Sequence, residues 1–321
     1  MTPSKIIDVI KRHKHFLVTT HVNPDPDALA SQIVLCLFLK SLGKMVRSIN
    51  AEDVPKRYRF LSESKLVKGL KDQRDFFEVV IVVDCGDLNR IGAVNNLIRE
   101  ESVIVNIDHH ITNDKFGDYN WVIPEASSTS EIIFDLLRYA QFPLSKKMAI
   151  LLYIGIMTDT GSFRYDNTNA YTHKVVSELM HFNFSISEIY KKLYESLSLK
   201  DLQLLTKVVN SFDSFYGGRV VCIELSQDVL KEFSGEFDLR DKIFQHLRAL
   251  KGVEVLVILT EQTKNKTRIN LRSQGRFNVA ELASYFNGGG HRKASGGVLP
   301  LNMKETKKRL LKKIRGILKN Q

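Results

Sequence analysis

Long apolar runs are missing from this chain: no stretch of about 18 consecutive apolar residues occurs, so no membrane-spanning helix and no membrane partner are expected. Cysteine is scarce. Cys36, Cys85 and Cys222 stand far apart without C-x-x-C spacing, which argues against a disulfide scaffold and suits a reducing cytoplasm. Cys36 and Cys85 lie in or beside apolar runs and read as small buried hydrophobes rather than ligands. The amphipathic N-terminal stretch has neither a long apolar core nor a small-residue cleavage site, so a secretory signal is not expected. Internal repeats and low-complexity tracts are absent. Also absent is a G-x-G-x-x-G loop after the first strand, where His-Val-Asn-Pro-Asp-Pro-Asp stands instead; this disfavours a nicotinamide-dependent dehydrogenase.

What is present is a chain of 321 residues, long enough for two domains, with 43% hydrophobic and 26% charged residues. Its formal charge of +11 favours an anionic partner without choosing among nucleotide, nucleic acid and membrane surface. Strand-like runs at 16–20, 78–84 and 102–108 alternate with helical patterns at 28–42, 129–140 and 145–157. That alternation predicts an α/β domain with a mostly parallel sheet flanked by helices. Residues 187–211 read as a helical connector between a first domain (1–186) and a smaller α/β domain (212–321). In the latter, strands are expected at 219–225, 253–261, 267–273 and 294–299, and helices at 239–250, 278–286 and 303–319.

Four clusters of acids and histidines fall just after apolar elements, where residues of an open α/β sheet converge on a ligand. His21, Asp25 and Asp27 share a turn stiffened by Pro24 and Pro26; a polar loop that caps a helix is the plainer explanation. Asp84 closes EVVIVVD, a position that also suits a simple turn former. Asp108, His109 and His110 close SVIVNID, and adjacent histidines there are hard to explain as core filler. Asp159 ends the apolar run MAILLYIGIM, against the helix dipole. Together these supply imidazoles and carboxylates suited to borderline divalent ions, in numbers sufficient for two ions that share an aspartate and clamp a phosphoryl group.

The ordered series HVNPDPDALAS, VDCGD, IDHH, TDTGSFRY and GGGHRKASGG resembles that of DHH-family phosphoesterases with a DHH-associated C-terminal domain, over residues 15 to 300. Length and tail resemble the branch of nanoRNases and pAp phosphatases. Pro26 and Ala30 stand where glycine is commoner, and neither change removes a ligand. The resemblance implies that His21, Asp25 and Asp84 bind one metal and that Asp27, Asp84, His109 and Asp159 bind the other. His110 and Arg272 would stabilise the phosphate undergoing cleavage. Arg272 and Ser273 would touch the substrate phosphate, and Gly288, Gly289, Gly290 and His291 would hold the terminal nucleotide, with the active site in a cleft between the domains. The implied cofactor is a pair of divalent cations, manganese foremost, with magnesium an alternative. The implied substrates are short RNA, linear dinucleotides such as pApA or pGpG, and pAp. A homodimer is compatible with the family. A RecJ-type single-strand DNA exonuclease and a non-catalytic nucleotide- or RNA-binding module are the rival readings.

The residues themselves leave some roles open. The three glycines are either a plain turn or an anion-binding loop, and Arg272 fits a solvated strand as well as a phosphate contact. The basic segment after residue 303 carries leucines and isoleucines at helical spacing, so a solvated lysine face is expected, with oligonucleotide attraction second. Stacking of bases would need an exposed aromatic; Phe277, Tyr285 and Phe286 are candidates, although Tyr285 and Phe286 read as core.

Overall fold

The structure, a computed structural model, describes residues 2–71, 75–195 and 197–319. The chain divides into two compact units, Met1–Leu193 and Tyr194–Gln321. The first runs α1 (Pro3–Arg12), β1 (His15–Thr19), α2 (Pro26–Ser41), β2 (Met45–Asn50), β3 (Val67–Gly69), β4 (Val79–Val83), β5 (Val103–Asp108), β6 (Tyr119–Val122), α3 (Thr129–Tyr139), α4 (Lys146–Asp159) and α5 (Ala170–Met180), then α6 (Ile186–Tyr194). Its six strands form one sheet in the order β3-β2-β1-β4-β5-β6, and every pairing is parallel.

Burial explains why β1 and β4 carry continuous apolar runs. Leu17, Val80 and Val82 turn toward Ile91 and Val94 on one face. Their neighbours Phe16, Val18, Val79, Ile81 and Val83 point the opposite way and are fully buried. The mutually packed helices α2, α3 and α4 lie against β1, β4 and β5. A sheet covered on both faces selects apolar side chains at every position. The strand order reverses between β1 and β4, so the ends of these two strands flank the crevice in which doubly wound sheets bind ligands. His21 follows the first of them and Asp84 the second.

The second unit contains α7 (Leu199–Asn210), β7 (Asp213–Phe215), β8 (Val220–Leu225), α8 (Gln227–Glu232), α9 (Leu239–Leu247), β9 (Val255–Thr263), β10 (Lys266–Ser273), α10 (Val279–Ser284), β11 (Gly289–His291), β12 (Ala294–Leu299) and α11 (Met303–Lys319). Its sheet has the order β11-β12-β10-β9-β8-β7 and is antiparallel apart from the β8–β9 pair. One face packs on α10 and α11 through Ile269, Leu271, Leu282, Leu310 and Ile314. The other packs on α7 and α9 through Ile258, Leu205, Ile243 and Phe244. The stretch expected to act as a connector is thus two helices, with Leu205 and Val208 of α7 buried in this second core.

Several expectations need correction. The helix after the first strand begins at Pro26, not at residue 28. Proline suits this first helical turn, where its missing N–H has no partner to lose. The glycine stretch is no open loop: Gly289–His291 pair antiparallel with β12. A Cβ on Gly290, at φ 133°, would lie 2.6 Å from the Ala294 carbonyl, so the strands close only without side chains. Tyr285, read as core, is 62% exposed, whereas Phe277, read as a stacking candidate, is fully buried. All three cysteines are buried and free, and burial pushes their thiols up to about 12. Among the described residues no helix is long and apolar enough to cross a membrane.

Candidate metal centre

The site is assembled from four chain segments at the carboxyl ends of β1, β4 and β5 and the end of α4. Asp25 caps α2, its Oδ1 accepting from Ala28 N at 3.0 Å. Asp27, one helical residue further in, is 1% exposed. Its Oδ2 accepts from Thr129 N at 2.8 Å and its Oδ1 from Ser130 N at 2.9 Å. The first turn of α3 therefore donates two otherwise unsatisfied N–H groups to a carboxylate from α2, a favourable meeting of anion and helix N-terminus.

Asp84 sits at the centre. It ends β4 with φ 54°, a left-handed conformation that costs a non-glycine residue free energy and is concentrated at functional sites. Thr129 Oγ1 donates to its Oδ1 at 2.9 Å. His21 Nε2 lies 3.6 Å from Asp84 Oδ2, and His109 Nε2 lies 3.6 Å from Asp84 Oδ1 and 3.4 Å from Asp159 Oδ2. Burial, the largest influence, disfavours charge on Asp84, yet the His21 contact and the charges of His110 and His109 outweigh it and hold the carboxyl below its usual range.

Two observations test whether cations fit. The first is the orientation of the imidazoles. His21 Nδ1 is 2.9 Å from Val22 O and His109 Nδ1 is 3.3 Å from Ala126 O. A carbonyl only accepts, so each Nδ1 carries a proton, and Nε2, facing carboxylate oxygen, is the ring atom left to take either a second proton or a metal ion. Such backbone-anchored imidazoles are the usual form of a metal ligand. The second is the crowding of carboxylates. Burial, then the negative charges of Asp84 and Asp159, push the Asp27 carboxyl well up, a penalty that a divalent cation removes.

The geometry groups the donors. His21, Asp25 and Asp84 each offer a ligand atom within 4.8 Å of the others, and so do Asp27, His109 and Asp159. Acidic and histidine groups are therefore positioned to bind metal ions.

His110 faces differently from His109, their rings meeting edge to face at 5.1 Å. Its Nδ1 donates to Asp108 Oδ1 at 2.7 Å. Asp108 is fully buried and also accepts from Asn113 Nδ2 at 2.6 Å, while Asn113 reaches Asn106 Oδ1 at 2.7 Å. Burial opposes charge on His110, but Asp108's charge and hydrogen bond, helped by Asp84, lift its pKa to about 9. Asn106, Asn113 and Thr129 support the site and escaped the sequence reading, as did the steering role of Asp108. Their one visible signal is polar side chains inside or just past an otherwise apolar strand.

Beyond Asp159 the backbone is strained, with Gly161, Ser162 and Phe163 at φ 57°, 60° and 64°. Asn167 Nδ2 fastens this loop, donating to Ser127 O at 2.8 Å and to Asp159 O at 3.3 Å.

In the second unit Arg272 lies on β10 with its guanidinium 4.9 Å from the centre of the Phe244 ring. Ser273 is its neighbour on the strand, so the two side chains point to opposite faces. The Ser273 hydroxyl donates to Arg292 O at 3.1 Å, which ties it to the turn after His291. Between β12 and β10, Asn270 has a buried side-chain oxygen with no hydrogen-bond partner, an unmet acceptor in the neighbourhood of Arg272 that the sequence did not flag.

A parallel sheet whose strand order reverses where acids and imidazoles gather belongs to the class of α/β folds that bind ligands at a switch point, here with groups positioned to bind metal ions. Comparison with known proteins makes this specific. Residues 15–156 match the DHH family N-terminal domain and residues 226–320 match the DHHA1 domain. A Streptococcus mutans protein named a probable bifunctional oligoribonuclease and PAP phosphatase NrnA is 32% identical over 292 residues, covering 91% of this chain and 91% of its own length. The Bacillus subtilis bifunctional oligoribonuclease and PAP phosphatase NrnA is 29% identical over 296 residues, covering 91% and 92%. Among solved structures, an exopolyphosphatase-related protein from Bacteroides fragilis superposes with a TM-score of 0.85 at 28% identity, covering 99% of this chain and 97% of that one. The chain belongs to the DHH family.

Proposed function

We propose that the protein is a manganese-dependent phosphoesterase that hydrolyses short oligoribonucleotides and linear dinucleotides to 5′-mononucleotides, and pAp to AMP and phosphate. The observation that carries this reading is the pair of donor triads, one containing Asp84 and the other containing His109, whose Nε2 lies 3.6 Å from Asp84 Oδ1; the names of the relatives supply the substrate class. His21, Asp25 and Asp84 hold one cation, and Asp27, Asp84, His109 and Asp159 hold the other. Such a pair supplies Lewis-acid activation of water and neutralisation of phosphoryl charge.

The chain's own groups do the remaining work. Thr129 fixes the rotamer of Asp84 through its hydroxyl. His110, charged and steered by Asp108, donates from Nε2 to a phosphoryl oxygen as negative charge builds there. Arg272 and the backbone of Gly288, Gly289, Gly290 and His291 grip the terminal nucleotide, and Ser273 supports that grip by holding Arg292. Water adds to phosphorus, and the 3′ oxygen leaves with a proton. Asp108→Ala leaves His110 unsteered, with an expected loss of about 10- to 100-fold in kcat and little change in KM.

The test is a hydrolysis assay on pAp, pApA, pGpG and an RNA ladder, with manganese, with magnesium and with EDTA. Turnover restricted to the short substrates, greatest with manganese and abolished by EDTA, is expected. Preference for long single-stranded DNA, or activity indifferent to EDTA, contradicts the reading. Manganese at about 100 times its dissociation constant should also raise the melting temperature by about 4 °C or more, read by calorimetry.

A further inference from the structure

The C-terminal helix carries far more charge than its packing needs. α11 holds Lys304, Lys307, Lys308, Arg309, Lys312, Lys313, Arg315 and Lys319 against the single acid Glu305. Two of these cations are neutralised: Lys307 contacts Asp213 and Glu224, and Arg309 contacts Glu305. Lys304, Lys308, Lys312, Arg315 and Lys319 are exposed, and among the described residues no ion pair joins any of them to a carboxylate. They follow one another at intervals of four, four, three and four residues, so they form a single stripe about 22 Å long on one face of the helix. The opposite face, Leu310, Ile314 and Leu318, is buried in the core of the second unit.

A second observation lies about 100° round the helix from Lys312, at Lys313. Tyr285, just past the end of α10, is 62% exposed, and Lys313 Nζ sits 3.8 Å from its ring centre. An exposed ring backed by a cation is a stacking platform for a base, and a row of unpaired cations is a track for phosphates. The apolar face of α11 is already used for packing, so the helix has none to insert into a bilayer. The pairing of ring and cations also favours a strand with bases over an acidic protein surface.

We infer that the exposed surface of α11, from the cation stripe round to Lys313 and Tyr285, docks the backbone and one base of a single-stranded nucleic acid longer than a dinucleotide. This inference rests on the proposed activity only in that it adds a strand-docking surface to an enzyme whose turnover is confined to short substrates. Neither Arg272 nor the metal donors belong to the surface; Arg272 lies on the α9 face of the sheet and α11 on the other.

The test is fluorescence anisotropy of a labelled 20-nucleotide RNA with the full chain in EDTA, from 50 to 200 mM potassium chloride. Five phosphate contacts give a slope of log affinity against log salt of about −3.5. The triple variant K308E/K312E/R315E is expected to flatten that slope by about 2 and to weaken binding more than tenfold, with dinucleotide turnover in manganese unchanged. Tyr285→Ala is expected to weaken binding about tenfold at every salt concentration without altering the slope. The inference is overturned if the triple variant keeps wild-type affinity and slope, if it loses dinucleotide turnover, or if wild type binds phosphatidylserine vesicles and not RNA. A wild type that hydrolyses neither pAp nor dinucleotides counts against the proposed activity instead, and the salt slope still reports on the track.

Discussion

Replacing Asp84 by asparagine is expected to lower kcat/KM for every substrate by about 10³-fold or more, roughly 4 kcal/mol of lost transition-state stabilisation, while the protein stays folded. Among the described residues, Asp84 is the one carboxylate that approaches His21, His109 and His110 together. Its loss therefore weakens the hold on both proposed cations at once. Asparagine is a cleaner test than alanine because Asp84 lies at φ 54°; asparagine tolerates the left-handed region, whereas alanine adds a backbone cost of about 1 kcal/mol. Asparagine also preserves an oxygen for Thr129. Without metal the substitution removes one of the charges that push Asp27 up but also the carboxylate that the neighbouring histidines hold ionised, two opposed effects, so the metal-free variant should melt close to metal-free wild type. Calorimetry in EDTA, alongside the hydrolysis assay, separates lost chemistry from lost fold. Near-normal turnover would contradict the assignment, and so would a collapse of the metal-free fold.

Gly155→Ala is expected to have the second largest effect. In a helix interior this change ordinarily stabilises by about 1 kcal/mol. Here the added methyl would stand 2.5 Å from Asp27 Oδ1 and closer still to Ser130 Oγ, both of which belong to the contact between α2, α3 and α4. Something must move, and the side chain with most to lose is Asp27, whose carboxylate is clamped by the N–H groups of Thr129 and Ser130. Overpacking of this kind costs about 1–3 kcal/mol, and a ligand displaced by even half an ångström spoils the metal geometry. The expected outcome is a lower melting temperature together with a fall in kcat of about 100-fold. Gly316→Ala is the control. Gly316 lies on exposed α11 with no atom within 4 Å of the added methyl, and the change should raise stability by about 0.5–1 kcal/mol with activity untouched.

The α/β class and the two-domain architecture were legible in the sequence, and the residues it singled out include those gathered in the two donor triads. His21, Asp84 and His109 are legible because each follows a run of apolar β-formers long enough to mark a strand buried on both faces. Asp159 is legible because an acid at the end of an apolar helix is out of place there. Their neighbours were hidden by ordinary chemistry. Thr129 and Ser130 look like helix-capping residues, and they do begin α3, but they act on Asp27 and Asp84 more than a hundred and about 45 positions away in the chain. Asp108, read only as one of the residues that close a strand, steers His110.

Elements were missed where tertiary context outweighs local pattern. β2, with exposed Met45 and Arg47 alternating with partly buried residues, reads as a loop until β1 and β3 pair with it. β6 has four residues. α5 opens with a capping box from Asn169 to Thr172 that could have been recognised. Tyr285 was misjudged because aromatic character predicts burial on average, while the side chain that covers this ring is a lysine from α11.

The central claim is that this donor set holds two cations side by side through Asp84. Equilibrium dialysis of the metal-free chain against manganese, followed by metal analysis and electron paramagnetic resonance, tests it without reference to any substrate. The account predicts two manganese ions per chain with a spin-coupled signal, and loss of that coupling in the Asp84→Asn variant. One ion or none per wild-type chain, or two ions with uncoupled spectra, would contradict it.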